Sequence, residues 1–313
     1  MRPDSIDLPA DEVARELVRG YLDAAAAARA QFATGRHPRA LHDLRVALRR
    51  LRVSLRAYAP YVADAIPDKV RKGVRDLARV TNVARDAEVQ LAWVDSLGRK
   101  AGVVGRPGRR WLRAHLAAQR KNAYHTIRSE TLPEFDRLSR RLRHALESGA
   151  AAPSRKHARR RVRFAQAAGR CLRENTARLS ADLGRIGSVE DEAEVHAARI
   201  AAKRLRYLVE PLVTEKEAAT VLKPLKTLQG RLGALHDRHV LARSLDRALR
   251  SGAPGNVLPS LCMLALRNRI EADRLYKDIA RSYLAGRAPA LLRTLRDLAR
   301  KLAARSVHSA SRA

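Results

Sequence analysis

Aromatic rings are scarce in this chain: three Phe, two Trp and seven Tyr make up 4% of 313 residues. Proteins that grip single-stranded nucleic acid by stacking its bases need exposed rings, so this shortage weighs against that mode. Cysteine is scarcer. Cys171 and Cys262 stand apart with no CxxC spacing, which reads as buried thiols in a reducing compartment rather than a disulfide framework or thiolate metal site. No run of 18 apolar residues occurs, and the opening "MRPDSIDLPADEVAREL" lacks the apolar core of a secretion signal. The expectation is a soluble, cytoplasmic protein with no membrane partner. Phosphate-cradling glycine loops and nucleophile elbows are missing too.

Acidic residues are also in deficit, 32 Asp plus Glu against 64 Lys plus Arg, for a formal net charge of +32. Self-repulsion of that size destabilises a compact state unless anions gather on the surface. Hydrophobic residues still reach 46%, enough to bury a core, so disorder does not explain the charge.

What is present reads as helix. Ala, Leu, Arg and Glu dominate, and no segment keeps a period of two. Breakers fall at 34–38, 65–68, 98–108, 129–133 and 148–154, then at 184–191, around Pro211, at 251–256 and at 285–289. Each is expected to be a loop between packed helices. Pro67 and Pro133 suit first helical turns, whereas Pro224 predicts a kink or a late helix start.

The chain also repeats itself. With His42 set on His196, Arg45, Arg49, Arg50, Leu51 and Arg52 fall on Arg199, Lys203, Arg204, Leu205 and Arg206. Leu44, Leu48, Leu51, Leu55 and Tyr58 then match Ala198, Ala202, Leu205, Val209 and Leu212. Both series step by 4, 3, 4, 3, a bundle seam. A second pair of seams follows: Val70, Val74, Leu77, Thr81 and Ala84 match Val221, Leu225, Leu228, Leu232 and Leu235. The reading is all-α, two pseudo-symmetric antiparallel bundles of four to five helices each. They form one domain over 9–302, with halves 9–150 and 154–302 and flexible tails at 1–8 and 303–313.

At about 100° per residue, His42, Arg45, Arg49, Arg52 and Arg56 share an arc of about 80°, well away from the seam. His196, Arg199, Lys203 and Arg206 share the same arc, with Glu210 in place of the last arginine. On the next helix Lys72, Arg75 and Arg79 form a stripe, echoed by Lys223 and Lys226 until Gly230 replaces Arg79. Like charges at such spacings cost roughly 0.2–0.5 kcal/mol per pair on an isolated helix. Between Val195 and Tyr207 no acid offsets them. Arginine forks grip phosphate oxygens in pairs, so these stripes predict a basic groove for a chain of phosphates. His42 and His196, gaining charge beside phosphates, predict tighter binding at pH 6 than at pH 8.

Other candidates are weaker. His236 and His239 are spaced for a metal but lack a third ligand, so no metal site is read. Arg85-Asp86 and His236-Asp237 occupy matching places, where the aspartate is expected to orient its basic neighbour or bridge helices. The run "SRKHARRRVRF" (154–164) is read as a solvated helix start, and His37, His115, His125, His144, His157 and His308 as surface residues.

The doubled pattern H-x-x-R-x-x-x-[KR]-x-x-R resembles the CHAD family, a histidine-marked α-helical domain. "KTLQGRLGALHD" (226–237) is similar to that family's following motif, and "RDLARVTNVARD" (75–86) departs from it with Ala78 for Gln and Asn82 for Gly. The resemblance implies paired bundles around a basic groove and binding of inorganic polyphosphate, often at cytoplasmic granules. It also implies contacts by His42, Arg45, Arg49, Arg52, His196, Arg199, Lys203 and Arg206. Some family members are fused to a triphosphate-processing barrel marked E-x-E-x-K. The nearest string here, "EDEAEVH", has His196 where Lys is required, so no such domain is read. The expectation is a non-enzymatic polyphosphate binder without cofactors; the alternative is a general nucleic-acid-binding protein.

Overall fold

The computed structural model describes residues 3–35, 39–62, 66–98, 102–151 and 162–305. The first half contains α1 (Ala10–Thr34), α2 (Ala40–Ala57), a single turn α3 (Ala59–Val62), α4 (Asp68–Leu97), α5 (Gly102–Thr126) and α6 (Leu132–Ala151). The second repeats the order with α7 (Phe164–Gly184), α8 (Glu192–Val209), α9 (Lys216–Ser251), α10 (Leu258–Ile279) and α11 (Ala288–Ala304). Among the described residues there is no strand, only an isolated bridge between Pro9 and Arg163.

The heptad seams account for these helices. All four seams are buried, every position at 5% exposure or less. Each large aliphatic side chain so placed contributes roughly 1.5–3 kcal/mol over leaving it in water. Gly35 ends α1 at φ 68, where its N–H reaches the Phe32 carbonyl, a left-handed cap that a side chain would strain.

Several breakers are not loops. Residues 129–133 lie in an unbroken helix that passes from α5 through one π turn (Ile127–Thr131) into α6. A π segment (Ala280–Arg287) likewise joins α10 to α11 across 285–289. The extra residue of a π turn absorbs the misfit between two seams without breaking the backbone ladder. Residues 102–108 already belong to α5, with Pro107 inside it, and α9 starts at Lys216, well ahead of Pro224. The late start predicted at Pro224 is therefore corrected. The loops at 184–191 and around 252–256 and the turn at Pro211 stand as read. Residues 3–8 are not a loose tail, because Ile6 is 1% exposed in the core. Of the basic run, 154–161 lies outside the described residues, as do His37, His157 and His308.

The halves meet through equivalent elements: α1 against α7, α2 against α8, α4 against α9 and α5 against α10. Such self-matching contacts are those of a two-fold axis. The bridge makes it explicit: the Ala10 N–H donates to the Val162 carbonyl and the Phe164 N–H to the Leu8 carbonyl, both at 2.9 Å. The main core runs through both halves, and the far ends of α4 and α9 build a second one with α5 and α10 around Val94, Leu116, Leu245 and Leu261. Close backbone approach matters at Gly169, where a Cβ would meet the Ala299 carbonyl at 2.8 Å and the Ala303 nitrogen at 2.9 Å. Gly169→Ala should therefore lower stability by about 1–3 kcal/mol in urea unfolding, by prising α11 from α7.

Candidate polyanion groove

Because α2 meets α8 and α4 meets α9 at the pseudo-axis, the stripes predicted on those helices come together from both halves. Arg45 is 7% exposed. It donates to the Thr81 carbonyl, to Thr81 Oγ1 at 2.8 Å and to Asn82 Oδ1 at 3.1 Å, tying α2 to α4. Its counterpart Arg199 has no such anchor, since Leu232 and Gly233 stand where Thr81 and Asn82 would be. Its Nε is buried with no hydrogen-bond partner, packed over Gly233. A buried, unsatisfied guanidinium N–H is costly unless a ligand supplies the acceptor.

Arg49 reaches across the interface to the Tyr207 hydroxyl at 3.3 Å. Beside it lies Lys203, whose ammonium is held down to about 6, by burial first and then by Arg49 and Arg199, with Asp237 pulling the other way. Two carboxylates share the centre. Burial raises Asp86, Arg45 lowers it, and Asp237 raises it again; burial likewise raises Asp237 against the pull of Arg199. These aspartates, and Arg85 with them, sit within the cationic cluster rather than merely orienting their sequence neighbours. The signal was the matched placing of Arg85-Asp86 and His236-Asp237 on the second seams. What it could not show was that the two pairs meet.

His196 touches His236: Nδ1 lies 3.3 Å from Nε2, and the ring centroids are 4.5 Å apart. Burial, with Arg199 and then His196 adding to it, pushes His236 down to about 3. His196 is lowered by burial, Arg199 and Lys203, and His42 by burial and the surrounding arginines, although Asp43 opposes them. Both histidines are therefore held toward the neutral form in the free protein, and Lys203, held down to about 6, joins them as a group that bound phosphates would recharge. His239 turns away, its Nε2 at 2.8 Å from the Val189 carbonyl, so it does not pair with His236. Among the described residues no group of three or more His, Cys, Asp or Glu could hold a metal.

A cavity of about 770 Å³ lies between α2, α4, α7 and α8. Its lining includes the predicted Arg52, Arg56, Lys72 and Arg75, together with Arg71, Arg178 and Arg204. Arg52 links the two regions, since it feels Arg49 on one side and Arg56 and Arg75 on the other. Burial, then Arg56, Arg178 and Arg52, pull Arg204 down to about 10. Among the described residues Asp68 and Glu174 are the acids in the lining, and Asp68 is paired with Arg71. Arg178 was missed because it sits on α7, which carries none of the repeated motif.

Four predicted residues lie elsewhere. Arg79, Lys223 and Lys226 are exposed and do not line the cavity. Arg206 is paired with Glu210 at 3.2 Å and lies over the Tyr207 ring at 4.5 Å.

The architecture is an all-α bundle in which basic side chains from equivalent helices of the two halves meet. The CHAD domain model matches residues 16–246, and the chain belongs to that family. Two solved structures share the fold. The crystal structure of the CHAD domain from the plant Ricinus communis superposes with a TM-score of 0.66 at 22% identity, covering 93% of each chain. PptA from Streptomyces chartreusis also superposes at 0.66, with 15% identity over 94% of this chain and 100% of that one. No curated protein matches the sequence.

Proposed function

We propose that this protein binds inorganic polyphosphate without turning it over, as a cytoplasmic module that associates with polyphosphate granules. The observation that carries this reading is the convergence, from both halves, of Arg45, Arg49, Arg199 and Lys203, with the buried Nε of Arg199 left without an acceptor and Lys203 driven toward neutrality. A polyphosphate chain places a negative charge at every unit, so each phosphate can relieve one of these cations. His42, His196 and His236 edge the centre, and Arg52, Arg56, Lys72, Arg75, Arg178 and Arg204 extend it.

A chain touching about seven cations should bind with a log K against log salt slope of roughly −5, by analogy with single-stranded nucleic acids. The deciding experiment displaces labelled polyphosphate with unlabelled polyphosphate or duplex DNA at moderate salt. Polyphosphate is expected to win by at least tenfold per phosphate, about 1.4 kcal/mol. Equal competition by DNA would favour a general nucleic-acid binder. Release of orthophosphate by purified protein with Mg²⁺ would overturn the non-catalytic reading.

A further inference from the structure

The two ends of the cationic centre are pseudo-equivalent but carry different side chains. At the first end Arg52, Arg56 and Arg204 border the cavity, with Val53 and Asn175 beside them. Shifting each by the repeat gives Arg206, Glu210, Arg50, Tyr207 and Tyr21 at the second end.

There the arginine that would face a phosphate is a glutamate, and it takes hold of the other two. Glu210 accepts from Arg50 Nε at 2.8 Å and lies 3.2 Å from Arg206 Nε. Both guanidiniums also lie against Tyr207, Arg206 at 4.5 Å from the ring centroid and Arg50 at 6.0 Å. Tyr21 closes the same corner, where it feels both Arg50 and Glu210. Two tyrosines thus stand where the open end has valine and asparagine. Two of its cations already have a carboxylate partner, and Tyr207 is 2% exposed.

We infer that Glu210, braced by Tyr21 and Tyr207, is the specificity-determining stop of this groove. It confines the polyanion to one arm, from the His42 and His196 centre into the cavity beside Arg204. This rests on the polyphosphate reading and adds to it a direction and a length limit. A phosphate chain advancing toward the second end meets a carboxylate that repels it. It also meets two guanidiniums already paired with that carboxylate, of which Arg50 would have to break a charge-assisted hydrogen bond before it could turn to it. Lys223 and Lys226, the counterparts of Lys72 and Arg75, are exposed on α9.

The test uses the full-length protein with two probes, tripolyphosphate and polyphosphate chains of several tens of units. Glu210→Arg restores the repeat at this position and frees Arg50 and Arg206. It should tighten long-chain binding by roughly tenfold or more and steepen the salt slope by about 2, as expected for three added phosphate contacts. Tripolyphosphate, which fits within the open arm, should bind as before. Long-chain affinity and slope that stay at wild-type values in a folded variant would overturn the stop.

Should Glu210→Arg fail to fold, a second comparison decides. Neutralising the stop as a whole, with Arg50→Gln, Arg206→Gln and Glu210→Gln together, should leave long-chain affinity unchanged. The pseudo-equivalent pair Arg52→Gln and Arg204→Gln should lose tenfold or more. Similar losses at the two ends would mean that both take ligand. Wild-type protein that binds neither probe would instead refute the polyphosphate reading itself, which keeps the two failures apart.

Discussion

Replacing Arg49 and Lys203 with glutamate together is expected to abolish polyphosphate binding while leaving the helical circular dichroism intact. These two side chains are counterparts on α2 and α8 and lie close together at the pseudo-axis, so the pair strikes the centre of the proposed site. Reversing them exchanges two attractive contacts for two repulsive ones inside a site already holding Asp86 and Asp237. A loss of roughly 1,000-fold or more follows, since removing one member of a desolvated charge contact alone costs about 2–5 kcal/mol. The fold should tolerate the change. Neither residue belongs to a seam, and the new carboxylates gain Arg45, Arg85 and Arg199 as neighbours. Isothermal titration with long-chain polyphosphate reads the outcome, and unchanged affinity would remove the site from this groove.

The second large effect concerns Lys203 alone and has opposite signs for the free and bound protein. Its folded pKa of about 6 lies far below the ordinary lysine value of 10.5. Between those values the unfolded chain carries a proton that the folded chain does not, so stability of the free protein rises with pH across that window. Phosphates favour the charged ammonium and raise its pKa in the complex. Binding then takes up a proton, and affinity grows as pH falls from 8 toward 6, levelling off below about 6 where Lys203 is already protonated in the free protein. Lys203→Met should remove both slopes. It should raise the free protein's stability at pH 7 by about 1–4 kcal/mol, as when a buried charge gives way to an apolar side chain, and weaken polyphosphate binding. Thermal melts at pH 6.5 and 9, with and without polyphosphate, test both halves of this claim. A wild-type melting temperature that falls on going from 6.5 to 9 would refute the proton linkage.

Much of the fold was legible because the seams are strict. Twenty buried positions in four series of 4, 3, 4, 3, all apolar but Thr81, leave a helix one buried side, and the repeat then pairs the halves. The breakers were less informative. Residues 129–133 and 285–289 look like loops, yet the backbone runs through each as a π turn, because packing on both flanks holds the helix together against weak local preferences. Burial likewise overturned the reading of 3–8 as a tail, through Ile6.

The site shows the same division. His42, Arg45, Arg49 and Arg52, with His196, Arg199 and Lys203, were visible as faces of two helices, because angular position about a helix is a property of spacing alone. Arg178 and Arg204, the meeting of Asp86 with Asp237, and the capture of Arg206 by Glu210 were not visible in that way. Each depends on which helices face each other and at what depth, and periodicity carries no such distance. The sequence by itself determined the helices, their buried seams, the doubling and the direction of each cationic stripe. Only the tertiary structure brings the stripes of the two halves against each other, sets Lys203 between Arg49 and Arg199, and pairs Arg50 and Arg206 with Glu210. Desolvation and charge–charge energies depend on separation in space, and that separation exists only once the two halves have packed.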